Sequence, residues 1–250
     1  KEDLTWATYI DGSYQEYLAQ QARKNTGFRE FFSRCHNQVA YSCFGKIANE
    51  NVYKGSQHEL YLKGAIDDIT GKLLANKYGT IEKAKAEARK NVGETLTLID
   101  SLHQHGTQFL FVFCPTKTAV YPETMPEAFK DSISDFSLAE YYIELFKEND
   151  IPHIDFYSYF KTIKDTFPYR LYTRTGSHWA EATIPFVADS ILRKLEAITG
   201  YRFPGIEVID PNLSRDYSDQ DGELETHIDL LLPMCKPKAS RPIFTLQDTI

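Results

Sequence analysis

A short, uninterrupted apolar run near the middle of the chain constrains the fold more than any other feature. Residues 109–114 read Phe-Leu-Phe-Val-Phe-Cys and lie between helical patterns over residues 81–103 and 138–149. Such a run, without polar alternation, is typical of a parallel strand that helices cover on both faces. A second short run, residues 151–155, and a helical pattern over residues 180–199 continue the alternation. We therefore predict an α/β fold, a three-layer sandwich around a mostly parallel sheet.

The chain on either side of this pattern has a different character. Residues 1–50 carry polar and aromatic helical patterns, and we expect them to form a helical extension packed on the core. Residues 51–250 are expected to form the α/β domain. We expect this domain to be incomplete at its C-terminus, because a strand pattern over residues 243–246 runs directly into the end of the chain.

Composition and charge exclude several classes of function. The net charge is −7, and no cluster of Lys and Arg is longer than a helical turn, so we expect no nucleic-acid partner. The longest apolar run is far shorter than the roughly 18–20 residues that a membrane helix needs. Glycine-rich phosphate loops and the spaced histidines of metal sites are absent from the sequence, so we expect no cofactor and no metal. The cysteines form no CxxC pair and do not indicate a redox compartment.

The strongest candidate for a functional site is residues 171–179, Leu-Tyr-Thr-Arg-Thr-Gly-Ser-His-Trp. We expect this loop to lie beyond the carboxyl ends of the strands, where ligands bind in open α/β sheets, together with residues 115–122 and 155–159. An imidazole at His178 can act as a general base, because histidine titrates near neutral pH. It can equally cap the following helix as a structural residue, and the sequence leaves both interpretations open. No Gly-x-Ser-x-Gly or Gly-Asp-Ser turn follows a strand to supply a nucleophile.

Several short motifs resemble one known family in the same order. They are DGSYQ at residues 11–15, NTGFR at 25–29, VYKG at 52–55, ELY at 59–61, PTK at 115–117, YPE at 121–123, IPHID at 151–155 and TGSHW at 175–179. Together they resemble the SGNH-hydrolase-like domain of the alginate O-acetyltransferase family, the AlgJ, AlgX and DHHW group. The resemblance covers nearly the whole chain and implies an SGNH-hydrolase-like, flavodoxin-like fold.

The resemblance also implies a mechanism, in which a Ser–His–Asp triad transfers an acetyl group to polysaccharide hydroxyls. His178 matches the catalytic histidine of the family, and Trp179 matches its neighbour. The family carries an aspartate two residues before the histidine, where this chain has Gly176, and Asp155 is the candidate substitute. The family's serine lies on a turn well beyond the histidine, and we expect this chain to lack it.

The resemblance further implies a substrate, a donor and a location. We expect substrate contacts from Trp179, Arg174, Ser177, Lys117 and Tyr121. The expected partners are a polysaccharide and a membrane O-acyltransferase that delivers the acetyl donor, in the periplasm or at the cell surface. Two alternatives stay open: a catalytically inactive carbohydrate-binding or assembly component of a polysaccharide export system, and a carbohydrate esterase. The glycine in place of the aspartate and the missing serine favour the inactive component, whereas the retained His-Trp pair favours an enzyme.

Overall fold

The chain forms two compact units. The computed structural model describes residues 3–25, 27–210, 214–215, 222–232, 234, 239–240 and 243–247. The first unit comprises Lys1–Ala48 and Asp229–Pro233, and the second comprises Asn49–Ile228 and Met234–Ile250. The packing of residues 1–50 on the core stays a prediction.

The first unit is helical. Its helices are α1 (Trp6–Ile10), α2 (Ser13–Asn25) and α3 (Arg29–Phe44). Helix α3 ends at Gly45, whose φ of 63° lies in the left-handed region that favours glycine. Arg34 Nε pairs with Asp229 Oδ1 at 2.9 Å, and the Asn37 side chain donates to the Asp229 carbonyl at 3.2 Å. These contacts tie α3 to the second segment of the unit.

The second unit contains the strands that the structure describes. They are β1 (Val52–Lys54), β2 (Leu60–Leu62), β3 (Phe111–Phe113), β4 (His153–Asp155), β5 (Ile206–Asp210), β6 (Ser214–Arg215), β7 (Ala239–Ser240) and β8 (Ile243–Leu246). Among the described residues they pair as four two-stranded sheets: β1–β2, β5–β8 and β6–β7 are antiparallel, and β3–β4 is parallel. In β3–β4, Phe111 lies opposite His153 and Phe113 opposite Asp155. The expected mostly parallel sheet is thus represented by one parallel pair.

The second unit also contains helices. They are α4 (Lys63–Ile69), α5 (Lys72–Tyr78), α6 (Ile81–Gln104), α7 (Lys117–Val120), α8 (Glu127–Lys130), α9 (Leu138–Glu148), α10 (Phe156–Ile163), α11 (Ile184–Thr199) and α12 (Glu223–Ile228), with single 3₁₀ turns at Pro122–Thr124 and Glu181–Thr183. The Thr80 hydroxyl accepts from the N–H of Lys83 at the start of α6, and Gly200 ends α11 in the left-handed region. Within the described ranges, no helix combines the length and the apolar character that crossing a membrane requires.

Two of the apolar clusters in this unit pack around the parallel pair and the segments that follow it. The first lies between α6, α9 and the parallel pair, and its buried residues are Ala88, Val92, Ile99, Leu145, Phe146 and Ile151. The second joins the segments that follow β3 and β4, and its buried residues are Val120, Tyr121, Phe156, Phe160, Leu171, Tyr172 and Val187. The half-buried Trp179 ring packs against the second cluster. This cluster therefore anchors the loop that contains His178.

Candidate functional site

The candidate site is a closed loop between Tyr172 and Trp179. These two residues form an antiparallel bridge, and the N–H of Ala180 donates to the carbonyl of Leu171 at 2.9 Å. The loop between them leaves the His178 side chain exposed to solvent. The exposed imidazole is accessible to a reactant. Because both ends of the loop are fixed, the backbone that carries the imidazole is held in place.

The loop lies at the carboxyl ends of the parallel strands. The Tyr172 hydroxyl donates to the carbonyl of Pro115, which follows β3. The Trp179 ring contacts Phe156 and Phe160 of α10, which follows β4, with ring centroids 5.8 and 5.4 Å apart. The three segments that the sequence placed at one edge therefore meet there. In an open α/β sheet this edge is where ligands bind.

A buried lysine holds the loop from the interior side. Lys117 is 3% exposed, and its ammonium donates to the carbonyls of Leu60 at 3.0 Å, Arg174 at 2.7 Å and Gly176 at 3.1 Å. The N–H of Leu60 also donates to the Arg174 carbonyl, at 2.8 Å. All three ammonium protons thus have protein acceptors. Lys117 thus supports the loop from inside the fold, and the substrate contact expected of it from the sequence stays a prediction.

A buried carboxylate accompanies this lysine. Glu59 is 0% exposed, and its Oε2 lies 2.9 Å from the Lys117 ammonium. Its Oε1 accepts from Arg170 at 2.5 Å, and the Nε atom of Arg174 lies 3.9 Å away. Burial lowers the pKa of Lys117 to about 8, and the attraction of Glu59 offsets only part of this effect. The loop therefore depends on an ion pair whose removal would leave a buried charge.

The pKa of Lys117 makes stability depend on pH in a specific direction. Because its folded pKa of about 8 lies below the usual 10.5, the folded state binds fewer protons than the unfolded state between these values. Lys117 therefore makes the free energy of unfolding rise with pH across this interval. Burial raises the pKa of Tyr61, Tyr121 and Tyr172 above the usual 10.0. These tyrosines therefore make the free energy of unfolding fall with pH once tyrosines in the unfolded chain ionise.

We expect the free energy of unfolding, measured by urea denaturation, to show a Lys117-dependent rise from about pH 8 to about pH 10. The tyrosines are expected to reverse this trend above about pH 10. The Lys117→Met variant serves as the reference, because it keeps the tyrosines and removes the titrating amine. The same pH dependence in both proteins would show that Lys117 does not titrate as described.

Tyr121 belongs to the core. It is 4% exposed, and its ring lies under the Arg170 guanidinium, 4.3 Å from the ring centroid. Its carbonyl accepts from the Tyr61 hydroxyl at 2.9 Å, and its own hydroxyl accepts from the N–H of Leu171 at 3.4 Å. Tyr121 therefore packs beneath the loop, and the substrate contact expected of it from the sequence stays a prediction.

The buried hydroxyl of Tyr61 provides a test of this packing. It donates to the Tyr121 carbonyl and shares a 2.5 Å hydrogen bond with Thr124 Oγ1. We expect Tyr61→Phe to lower the free energy of unfolding by about 1–2 kcal/mol, because both partners lose a buried hydrogen bond. The matched control is Tyr159→Phe, whose ring is 51% exposed and for which we expect a change within about 0.5 kcal/mol. Equal effects in urea denaturation would contradict the hydrogen-bonding role.

Asp155 caps a helix. Its carboxylate accepts from the N–H of Ser158 at 2.8 Å at the start of α10, and it pairs with Lys147 at 3.3 Å. Although burial acts in the opposite direction, the hydrogen bonds from Ser158 and Lys147 hold the pKa of Asp155 below its usual value. Among the described residues, the structure records no hydrogen bond between Asp155 and His178. Its role as the partner of His178 stays a prediction. The contacts that the structure describes for the Asp155 carboxylate are with Ser158 and Lys147.

Arg174 and Ser177 lie closer to solvent. The Arg174 side chain is 35% exposed and donates to the carbonyl of Gln57 at 3.0 Å. Ser177 is half-buried, and its hydroxyl donates to Glu223 Oε1 at 2.8 Å. Both residues precede His178 in the same loop. Both side chains therefore remain candidates for contacts with a substrate.

Glu223, like Glu59, is a carboxylate of the site that the sequence did not indicate. Its Oε1 accepts from the N–H of Ser177 at 2.5 Å and from the N–H of His178 at 3.3 Å, in addition to the Ser177 hydroxyl. The residue lies in the first turn of α12, a six-residue helix in a segment that reads as a polar, acidic loop. The one signal in the sequence was indirect: Gly176 leaves the loop without a carboxylate of its own.

Comparison with known proteins identifies the class. The structure of AlgX from Pseudomonas aeruginosa aligns with 79% of this chain and 44% of its own, at 16% identity and a TM-score of 0.50. The O-acetyltransferase domain of Pseudomonas putida AlgJ aligns with 79% of this chain and 66% of its own, at 16% identity and a TM-score of 0.49. The chain thus spans less than two thirds of the length of either protein. It has the SGNH hydrolase-like fold.

The family follows from the sequence match. Residues 73–205, more than half of the chain, match the model of the SGNH hydrolase-like domain of acetyltransferase AlgX. The chain belongs to this family, as its motifs predicted. No curated protein matches the chain in a sequence search. The matched stretch contains the His178 loop and Lys117 but neither Glu59 nor Glu223.

Proposed function

We propose that the protein is an O-acetyltransferase that acts on polysaccharide hydroxyls, with His178 as the general base. The observation that carries the proposal is the exposed His178 imidazole on a loop that Lys117 and Glu223 hold, at the carboxyl ends of the parallel pair. Membership of an acetyltransferase family supports this reaction over others that the fold accommodates.

In the proposed reaction, acetyl transfer takes place in two steps. A serine oxygen attacks the carbonyl of the acetyl donor while the imidazole accepts the serine proton, and that proton then passes to the leaving group. The sugar hydroxyl next attacks the acetyl-enzyme while the imidazole accepts the hydroxyl proton, and this proton returns to the serine. His178 is proposed as the base in both steps. We assign the serine to no described residue, because Ser177 adjoins His178 in the chain and its hydroxyl donates to Glu223.

The substrate contacts are proposed for the side chains that solvent reaches. Arg174 offers a charged donor for sugar hydroxyls or carboxylates, and Ser177 offers a hydroxyl. Trp179 supports His178 from the core, where its ring packs on Phe156 and Phe160. We also propose that β3–β4 belongs to a mostly parallel sheet in a three-layer sandwich, as the family's fold implies.

The setting of the reaction is proposed from the family alone. We propose a periplasmic or cell-surface location, a polysaccharide acceptor and an acetyl donor that a membrane O-acyltransferase delivers. No candidate metal cluster occurs among the residues that the structure describes.

A second candidate function is carbohydrate binding without catalysis. Gly176 favours it, because glycine cannot orient an imidazole as the family's aspartate does. A third is a carbohydrate esterase, in which water replaces the sugar hydroxyl. The three functions differ in the fate of the acetyl group, which is transferred to a sugar, released to water or not released at all.

One experiment separates these functions. The full-length protein is incubated with p-nitrophenyl acetate and a uronic-acid oligosaccharide, and products are identified by mass spectrometry. Acetylated oligosaccharide supports the transferase, whereas free acetate at a rate that the oligosaccharide does not change supports the esterase. Oligosaccharide binding in calorimetry without enzymatic acetyl release supports the binding component and contradicts the proposal.

A further inference from the structure

The His178 loop lacks an acidic residue of its own. Its residues 173–178 read Thr-Arg-Thr-Gly-Ser-His, and the position two before the histidine is Gly176. An imidazole that acts as a base needs an acceptor for its second ring nitrogen, because that hydrogen bond fixes the tautomer and the ring orientation. A carboxylate that accepts this hydrogen bond must therefore come from another part of the fold.

Glu223 brings a carboxylate to this loop. One of its oxygens, Oε1, accepts from the Ser177 N–H, the Ser177 hydroxyl and the His178 N–H. The other, Oε2, is buried, and no described residue donates a hydrogen bond to it. A buried carboxylate oxygen without a donor is costly. The carboxylate thus holds the backbone of the loop with one oxygen, while the second has no donor among the described residues.

Helix α12 is fixed in place. The N–H of Leu224 donates to the carbonyl of Thr175 at 3.0 Å, so the first turn of the helix is joined to the loop. At the other end, the Asn49 side chain donates to the carbonyl of His227 at 3.0 Å. Leu224 and Ile228 are 1% and 2% exposed. Glu223 is therefore carried by a packed element, as a positioning residue requires.

We propose that Glu223 takes the place of the missing aspartate, its Oε2 accepting the hydrogen bond from Nδ1–H of His178. The proposal rests on the proposed function, because it gives Glu223 a role in orienting the base. Glu223 is a positioning residue in this scheme, since it acts on the reaction only through His178.

The reach of the imidazole permits this hydrogen bond. The N–H of His178 is already 3.3 Å from Oε1 of the same carboxylate. Nδ1 is only a few covalent bonds from that backbone nitrogen, and rotation of the exposed side chain moves the ring through staggered positions. The bond leaves Nε2 as the unprotonated nitrogen that accepts a proton from a hydroxyl. It also gives the buried Oε2 the donor that it lacks.

The neighbouring cations have other close partners, although the charge of Glu223 also attracts the Lys117 ammonium. The Lys117 ammonium is engaged by three carbonyls and by Glu59, and Arg170 pairs with Glu59. The Arg174 guanidinium donates to the Gln57 carbonyl. No described ion pair involves Glu223, so its second oxygen is available for the imidazole.

The test is the tautomer of His178 in the intact protein. Long-range ¹H–¹⁵N correlation spectra at a pH where the ring is neutral report which nitrogen carries the proton, and His178→Gln assigns the signal. We expect the Nδ1–H form to predominate, whereas a free imidazole prefers Nε2–H. A predominant Nε2–H form in the unmodified protein would overturn the proposal, and this outcome requires no Glu223 variant to fold.

Glu223→Gln sharpens the test. The amide oxygen keeps an acceptor for the loop N–H groups, while an NH₂ group replaces Oε2 and cannot accept from Nδ1–H. We expect the ratio of Nδ1–H to Nε2–H to fall about tenfold or more, as for the loss of a hydrogen bond to a charged acceptor.

The matched control, Glu127→Gln, changes an exposed carboxylate that pairs with Lys130 and should leave the ratio unchanged. An unchanged ratio in Glu223→Gln with a retained fold would overturn the proposal. Because the readout is not activity, it is separable from a failure of the acetyltransferase assignment.

Discussion

Replacing His178 with alanine is expected to slow acetyl release from p-nitrophenyl acetate by at least about 100-fold, because the reaction loses its general base. The side chain is exposed and belongs to none of the core clusters that the described residues form, so the variant should fold like the unmodified protein. Steady-state kinetics of the full-length protein, with circular dichroism to verify folding, measure the effect.

The control for this variant is His105→Ala. His105 is also exposed and caps the carboxyl end of α6, away from the loop. We expect its rate to stay within a factor of about two, since surface changes of this kind have small effects. Equal rates in His178→Ala and the unmodified protein would remove His178 from the mechanism.

Replacing Lys117 with methionine is expected to lower the free energy of unfolding by about 3 kcal/mol. The change leaves Glu59 buried with Arg170 as its remaining close ion-pair partner, at 2.5 Å. It also deprives the carbonyls of Leu60 and Gly176 of the ammonium donor. Urea denaturation at neutral pH measures the loss. We also expect acetyl release to fall although His178 is intact, because the loop loses its interior support.

The control for this variant is Lys147→Met. Lys147 also pairs with a carboxylate, that of Asp155, but its side chain is 58% exposed. Exposed ion pairs contribute little, so we expect a loss of less than about 1 kcal/mol. A loss of the same small size in Lys117→Met would show that the buried ion pair does not hold the loop.

The sequence predicted the elements with strong periodicity. Helices α6, α9 and α11 are long enough for an apolar stripe to be recognised, and the apolar run before Pro115 predicted β3. The sequence did not predict α12, because a helix of six residues with two acidic side chains in its first turn is too short to show an apolar stripe. The strand β3 is also shorter than its apolar run, as only residues 111–113 pair with β4.

The candidate site was predicted only in part. The His-Trp pair indicated the loop because its residue types are chemically specific. Lys117 and Tyr121 were expected to bind substrate because their motifs resemble those of the family, and the sequence does not show that both side chains face the interior. Glu59 and Glu223 lie far from the loop along the chain, and the fold brings them close to it. A local sequence pattern cannot indicate such contacts.

The most direct test of the central claim compares two pH titrations of the same protein. One is the pH dependence of kcat/KM for acetyl release, and the other is the titration of the His178 ring followed by NMR. We expect the rate to rise with pH at the same midpoint as the His178 ring loses its proton, because only the neutral imidazole can accept a proton. A rate that does not follow the His178 titration would contradict the account.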